Sequence, residues 1–227
     1  MKASEILILN KQGTKKQVKK AIKAGKVIYN DQTLAEDMEI EEGLLTCQGQ
    51  VMDLHPLKYY MLNKPAGYIC DAKSTKYIPV DTLLPAKQLH YIGRLDQNTT
   101  GLLLVTNDLK LRKKLILPDY HVDKTYAFSC LHPLTQEDLN LFEEGIIIDH
   151  SIRCQSAKVN LFDAMHGTIT IHEGKYHEIR KMFLSLNNQI VTLKRIAFGP
   201  ITLGSLIEGD YRPLTQEEIK ALKEAVS

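Results

Sequence analysis

Asp96 and Arg94 stand two residues apart in Gly93-Arg94-Leu95-Asp96, the opening of the stretch GRLDQNTTGLLLVTND. A carboxylate beside a guanidinium can serve as a nucleophile or a base when its geometry is fixed by a rigid neighbour. That neighbour is legible here. Gln97 to Thr100 are turn formers, and Leu102-Leu103-Leu104-Val105 reads as a short strand buried on both faces. Thr106-Asn107-Asp108 ends the stretch with residues that cap helices or make turns. The same pattern also fits an ordinary surface loop whose Asp and Arg are solvated.

A second stretch with chemical potential is EGKYHEIRKM, residues 173–182. Glu173-Gly174 ends a strand in a turn, and a helix follows with Ile179, Met182, Phe183 and Leu186 at core spacing. His177, Arg180 and Lys181 lie off that face. Arg180 is either a surface charge or a cation aimed at a buried carboxylate, which it would hold ionised. His172, His177 and Glu178 do not have the spacing of a standard zinc motif. No metal site is expected.

These residues need elements to carry them. Thr14 with Gln17 is a capping-box signature, and Gly25 stands where a C-terminal cap would, so residues 14–25 predict a helix. Val18, Ala21 and Ile22 share one face; Lys15, Lys16, Lys19, Lys20 and Lys23 share the other. With Lys11 and Lys26, seven lysines and no acid occur between positions 11 and 26. Residues 31–53 reverse this, with seven acids and no Lys or Arg. The lysine face is either a solvated surface or a phosphate-tracking one, whose RNA affinity would be sensitive to salt. Val27-Ile28-Tyr29 predicts a strand and Asn30-Asp31 a turn. Residues 54–58, around Pro56, read as a linker.

Beyond it, Tyr59 to Leu62 predicts a strand that ends in the turn Asn63-Lys64-Pro65-Ala66-Gly67, a turn best read as structural. Residues 70–90 are polar and irregular. Leu109 to Leu117 predicts a basic helix stopped by Pro118. Lys124 to Phe128 predicts a strand, in which Tyr126 could simply pack in a core. Leu134 to Phe142 and the segment after Thr215 predict helices. Residues 146–148, 157–162 and 168–172 predict strands, and strand-like runs recur from Val191 to Glu208.

Composition excludes other classes. The 227 residues carry 44% hydrophobic and 25% charged residues, as in an ordinary globular protein. A net charge of +2 identifies no partner by itself. Cys47, Cys70, Cys130 and Cys154 form no Cys-x-x-Cys pair, and reduced thiols in the cytoplasm are expected. No apolar run is long enough to span a membrane.

Five motifs occur in order: NKPAG at 63, GRLD at 93, KTY at 124, EGKYHEIRKM at 173 and LIEGDYRPLT at 206. Together they resemble the pseudouridine synthases, the family that includes ribosomal small-subunit pseudouridine synthase A. Glu178 and Ile179 stand where Gln and Val are common, and Lys181 where Arg is. TKKQVKKAIKAGKVIYND, from Thr14, is similar to the small RNA-binding domain shared with ribosomal protein S-four, although Ala3-Ser4-Glu5 departs from its usual start.

The resemblance implies an α+β protein: a small α+β RNA-binding domain at 1–53, a linker at 54–58, and a mixed, mainly antiparallel-sheet catalytic domain at 59–227. It implies that Asp96 is the catalytic carboxylate, Arg180 its pairing cation, Tyr126 a ring stacked on the base, and Arg94 a cation that holds the uridine or touches phosphate. No cofactor and no metal are implied. The partner implied is ribosomal RNA, naked or in a partly assembled particle, with the enzyme a monomer. Small-subunit (16S) rRNA is favoured over large-subunit (23S) rRNA. Two other classes compete. A non-catalytic assembly factor is disfavoured by intact Asp96, Tyr126 and Arg180. A glycoside hydrolase would want a second carboxylate in a comparable motif.

Overall fold

The computed structural model describes residues 1–85 and 89–227, so part of the polar segment 70–90 lies outside the described residues. The chain forms two compact units, Met1–Lys58 and Tyr59–Ser227.

The first unit runs α1 (Ala3–Leu9), α2 (Lys15–Lys23), β1 (Val27–Tyr29), β2 (Gln32–Thr33), β3 (Leu45–Cys47) and β4 (Gln50–Val51). The Thr14 hydroxyl accepts from the Gln17 amide while the Gln17 side chain accepts from the Thr14 amide, which completes the expected capping box. Val18 and Ile22 are buried, and Lys15, Lys16, Lys19, Lys20 and Lys23 are all exposed. Asn30 and Asp31 take positive φ of 46° and 63°, the backbone that a two-residue hairpin between β1 and β2 requires. The first residues form a helix that sequence reading did not expect. Ala3, Ile6 and Leu7 of α1 are buried against Val18, Ile22, Val27 and Leu45, so tertiary burial rather than local signals secures α1.

The second unit runs β5 (Tyr59–Lys64), β6 (His90–Ile92), β7 (Thr100–Thr106), α3 (Leu109–Ile116), β8 (Lys124–Cys130), α4 (Gln136–Glu144), β9 (Ile147–Ile148), β10 (Ile152–Arg153), β11 (Lys158–Leu161), β12 (His166–Ile171), α5 (Glu178–Ser185), β13 (Ile190–Phe198), β14 (Ile201–Thr202), β15 (Tyr211–Pro213) and α6 (Gln216–Glu224). Its main sheet has the order β11-β12-β8-β13-β7-β5-β15, with β6 also on β7 and β14 on β13. The β13–β7 pair is parallel; the other strand pairs among the described residues are antiparallel. The fold is therefore α+β with a mixed, mainly antiparallel sheet.

β7 is the stretch read as a doubly buried strand, and Gly101 to Thr106 are all buried. Gly101 is needed for this. Its φ is +97°, and a Cβ there would stand 2.2 Å from the Arg195 carbonyl of β13. Only glycine permits that backbone and that approach. Tyr126 and Phe128 of β8 meet Ile169 and Ile171 of β12 and Phe183 of α5 in one apolar core. The Phe183 ring lies 5.1 Å from Phe128 and 5.2 Å from Phe142. This packing fixes α5 against the sheet. Among the described residues, no helix is long and apolar enough to cross a membrane.

Candidate active site

The loop between β6 and β7 carries Asp96, and its shape is fixed from beneath. Lys64, at the end of β5, is fully buried. Its ammonium donates to the carbonyls of Pro65 at 2.9 Å, Gln97 at 3.1 Å and Thr99 at 2.9 Å. The Gly67 amide donates to Gln97 O at 3.0 Å, and the Thr99 amide to Asp96 O at 3.1 Å. The turn Asn63-Lys64-Pro65-Ala66-Gly67 is thus the clamp of the Asp96 loop, a specific form of the structural role read for it. Burial pulls the Lys64 ammonium down to about 8, against Asp96 and other nearby acidic groups. Asn63 extends the clamp. Its side chain donates to Leu206 O at 2.7 Å, and its backbone exchanges bonds with Gly209 and Asp210. The first and last motifs are therefore one piece of structure.

The turn before α5 supplies the other side. Arg180 Nε lies 4.0 Å from Asp96 Oδ2, the outer limit of an ion pair, and Arg180 also donates to Thr99 Oγ1 at 3.5 Å. His177 Nε2 comes closer, 3.4 Å from Asp96 Oδ1. Sequence reading left His177 without a role. Its signal was present, in that it lies off the core face of α5 and on the same side as Arg180. What could not be read is its backbone: His177 precedes α5 in the left-handed region, φ 54° and ψ 31°, and this sets where its ring can point.

A cleft of about 480 Å³ opens over these residues, within the range of small-molecule sites. Asp96, Arg180, Tyr126 and Arg94 all line it. Tyr126 is 7% exposed and belongs to the core as well as the wall; Arg94 is exposed at the rim. Lys15, Lys16, Lys19, Lys20 and Lys23 do not line it.

Charge in the wall is positive and partly buried. Arg195, 1% exposed, donates Nε–H to Leu102 O at 2.6 Å, and its Nη2 is left without a partner. Lys124 donates to Val122 O at 2.8 Å and His172 O at 3.3 Å; burial first, then Arg195, pulls it down to about 8. Among the described residues neither cation is ion-paired with a carboxylate, so the pair leaves positive charge in the wall, suited to a phosphate-bearing ligand. Sequence reading did not single out Lys64, Lys124 or Arg195 for these roles, because a basic residue in a strand carries no sign of burial.

Glu173 and Glu178 stand as a carboxyl pair in the same cleft. Glu178, 4% exposed, is pushed up to about 7 by burial and then by the neighbouring Glu173 carboxyl. Against its burial, Glu173 is held below the usual carboxylate range by the neighbouring Glu178 carboxyl, by Lys175 and by the Gln155 amide at 2.8 Å. Glu178 Oε2 accepts from the Lys175 amide at 2.8 Å, which closes the turn that leads to His177. Cys154, Glu173 and Glu178 offer ligand atoms within 4.8 Å of one another. Burial pushes the Cys154 thiol up to about 12, and Lys175 pairs with Glu173. A protonated thiol beside a compensated carboxylate is a poor cation site. His172 bonds Asp123 at 2.6 Å.

A family model described as RNA pseudouridylate synthase matches residues 58–185. The chain is 32% identical to RNA pseudouridine synthase YtzG of Bacillus subtilis, over 99% of each chain. It is 33% identical to ribosomal small subunit pseudouridine synthase A of Haemophilus influenzae, over 98% of this chain and 99% of that one. A crystal structure of a pseudouridylate synthase superposes with a TM-score of 0.71 at 31% identity, covering 98% of this chain and 99% of that one.

Proposed function

We propose, for a chain that belongs to the RNA pseudouridylate synthase family, that it isomerises a uridine of small-subunit ribosomal RNA with Asp96 as the catalytic carboxylate. The activity itself, RNA pseudouridine synthesis, follows from the family. The observation that carries the assignment of residues is the meeting of Asp96, Arg180 and Tyr126, from three distant stretches, at one cleft.

Uridine and pseudouridine are isomers. The bond from C1′ to N1 breaks, the ring turns, and a bond from C1′ to C5 replaces it. C5 gives up a proton and N1 ends with one, so atoms and electrons balance within the nucleotide. Asp96 attacks the anomeric carbon or the base, or acts on the sugar proton beside the anomeric carbon; each route needs an ionised carboxylate in a site that excludes water. Arg180 supplies the positive charge beside it, and His177 a ring nitrogen at 3.4 Å. Tyr126 presents its ring to the base, and Arg94 at the rim takes a phosphate or holds the extruded nucleotide. Extruding a base costs a few kcal/mol, which phosphate and stacking contacts must offset.

The first unit is a ribosomal-protein-S-four-like RNA-binding domain in this reading, and Lys15, Lys16, Lys19, Lys20 and Lys23 are its phosphate contacts. The five exposed ammonium groups on one helix face support it. The enzyme acts as a cytoplasmic monomer on RNA, naked or in a partly assembled particle. Small-subunit specificity is supported by the relative from Haemophilus influenzae, which matches nearly end to end. The test is pseudouridine formation on small-subunit particles and on large-subunit RNA, by wild type and Asp96→Asn. Product in the small-subunit RNA from the wild type alone is expected. Product confined to large-subunit RNA overturns the substrate assignment, and full activity of Asp96→Asn overturns the carboxylate.

A further inference from the structure

We infer that the ring of Tyr176, backed by His177, is a stacking platform for a nucleobase adjacent to the uridine being isomerised; this rests on the cleft being the site of pseudouridine synthesis. Tyr176 lines the cleft and is 71% exposed. A single exposed tyrosine is ordinary; this one is not merely exposed. Its ring lies nearly parallel to that of His177, with centroids 3.8 Å apart and planes 20° apart. The His177 ring in turn reaches Asp96 at 3.4 Å. The two rings are thus a short stack that leads from the reacting carboxylate out to solvent.

The stack is built before RNA arrives. The left-handed backbone of His177 is uncommon for a residue other than glycine. It is held by the Lys181 amide donating to His177 O at 2.9 Å and the Glu178 amide to Lys175 O at 3.2 Å. Rings ordered in advance lose little freedom on binding. Lys181 Nζ stands over the Tyr176 ring, 5.2 Å from its centroid, and is ion-paired with Asp149, while Arg94, and Lys175 paired with Glu173, line the same cleft. An aromatic face among cations is the pattern that binds a single-stranded nucleotide, the base on the ring and the phosphate on the charges. A protein partner would want a contiguous apolar patch, and Tyr176 is flanked by Lys175 and His177 instead. Extruding one base also bares the face of its neighbour, and a ring at the cleft mouth covers such a face again.

The chain contains no tryptophan, so Tyr176→Trp places one indole at the platform. The RNA is a ribosomal RNA fragment that the wild type converts. We expect indole emission to fall by half or more as this RNA binds, and the fall to vanish when a nucleotide flanking the target uridine is abasic. Tyr176→Ala weakens binding about tenfold, as loss of one base–aromatic stack does, with the loss in KM rather than kcat, and Tyr176→Phe restores it. The abasic RNA binds wild type and Tyr176→Ala equally. Unchanged emission at saturating RNA, measured by anisotropy, overturns the platform, as does an abasic penalty of equal size in wild type and Tyr176→Ala at every flanking position. Failure of the underlying reading shows separately, in the wild type: no ribosomal RNA is converted, and the platform falls with it.

Discussion

Two loops meet at Asp96, and they are held in opposite ways. Residues 93–99 are tied down through backbone carbonyls, two of which, Gln97 O and Thr99 O, converge with Pro65 O on the buried Lys64 ammonium. Residues 173–178 are tied down through side-chain carboxyl groups: Glu173 accepts from the Gln155 amide and pairs with Lys175, and Glu178 accepts from the Lys175 amide. The first tether has three acceptors for three protons, on an ammonium that burial pulls down to about 8. The second includes the Glu178 carboxyl, which burial pushes up to about 7. The loop with the reacting carboxylate therefore loosens as pH rises past about 8, and the turn that leads to His177 and α5 as it rises past about 7.

Variants can break or sharpen this contrast. Asp96→Asn keeps the loop and removes the charge, so a loss of about 10⁴-fold or more in kcat, as for other essential catalytic groups, is expected with RNA affinity nearly unchanged. Lys64→Met empties the first clamp. Three carbonyls lose their buried donor, which destabilises the second unit by about 2–4 kcal/mol, and activity falls even where the chain is fully folded. Denaturant unfolding beside single-turnover rates checks both. If Lys64→Met leaves kcat intact, the clamp does not position Asp96.

His177→Asn removes the ring at 3.4 Å from Asp96. A loss of about tenfold in kcat is expected, with a changed pH–rate profile; an unaltered profile assigns His177 to packing alone. Asp96 and the Tyr176 ring contact it, and Arg180, Glu178 and Lys175 line the same cleft, so the profile is compared with that of Glu178→Gln.

The smallest effect belongs to Glu178→Gln. In the fold, the Glu178 carboxyl keeps its proton up to about pH 7 against an ordinary value of 4.5. The folded chain then holds a proton that the unfolded chain sheds, so this contribution is full below about pH 4.5 and fades as pH rises through 7. Gln keeps the shape and cannot titrate. Thermal melts of the variant should be flatter than wild type between those limits, and parallel curves would remove the pair from the account.

Much of this protein is legible in one dimension. The capping boxes at Thr14 and Thr215, the hairpin at Asn30-Asp31 and the doubly buried β7 all depend on neighbours within a few residues, and each forms as its local pattern dictates. α1 was not legible, because its seven residues lack strong caps and are secured by burial. At the cleft, Asp96, Arg94, Tyr126 and Arg180 were legible as residue types in ordered motifs, and family resemblance named them. Their meeting was not derivable from spacing, since it depends on how β6, β7, β8 and α5 pack.

The sequence by itself determined most of the local elements and the set of reactive side chains, because these follow from short-range periodicity and residue chemistry, while the class of the fold came from family resemblance. Only the tertiary structure decided which charges are buried and what they touch. Lys64, Lys124 and Arg195 look in sequence like any surface cation. Packing takes them out of water, sets them on carbonyls and leaves their charge to act on the cleft. The same holds for Glu178, whose proton, and for Tyr176, whose stacked ring, exist only because β12 delivers residues 173–178 onto the Asp96 loop.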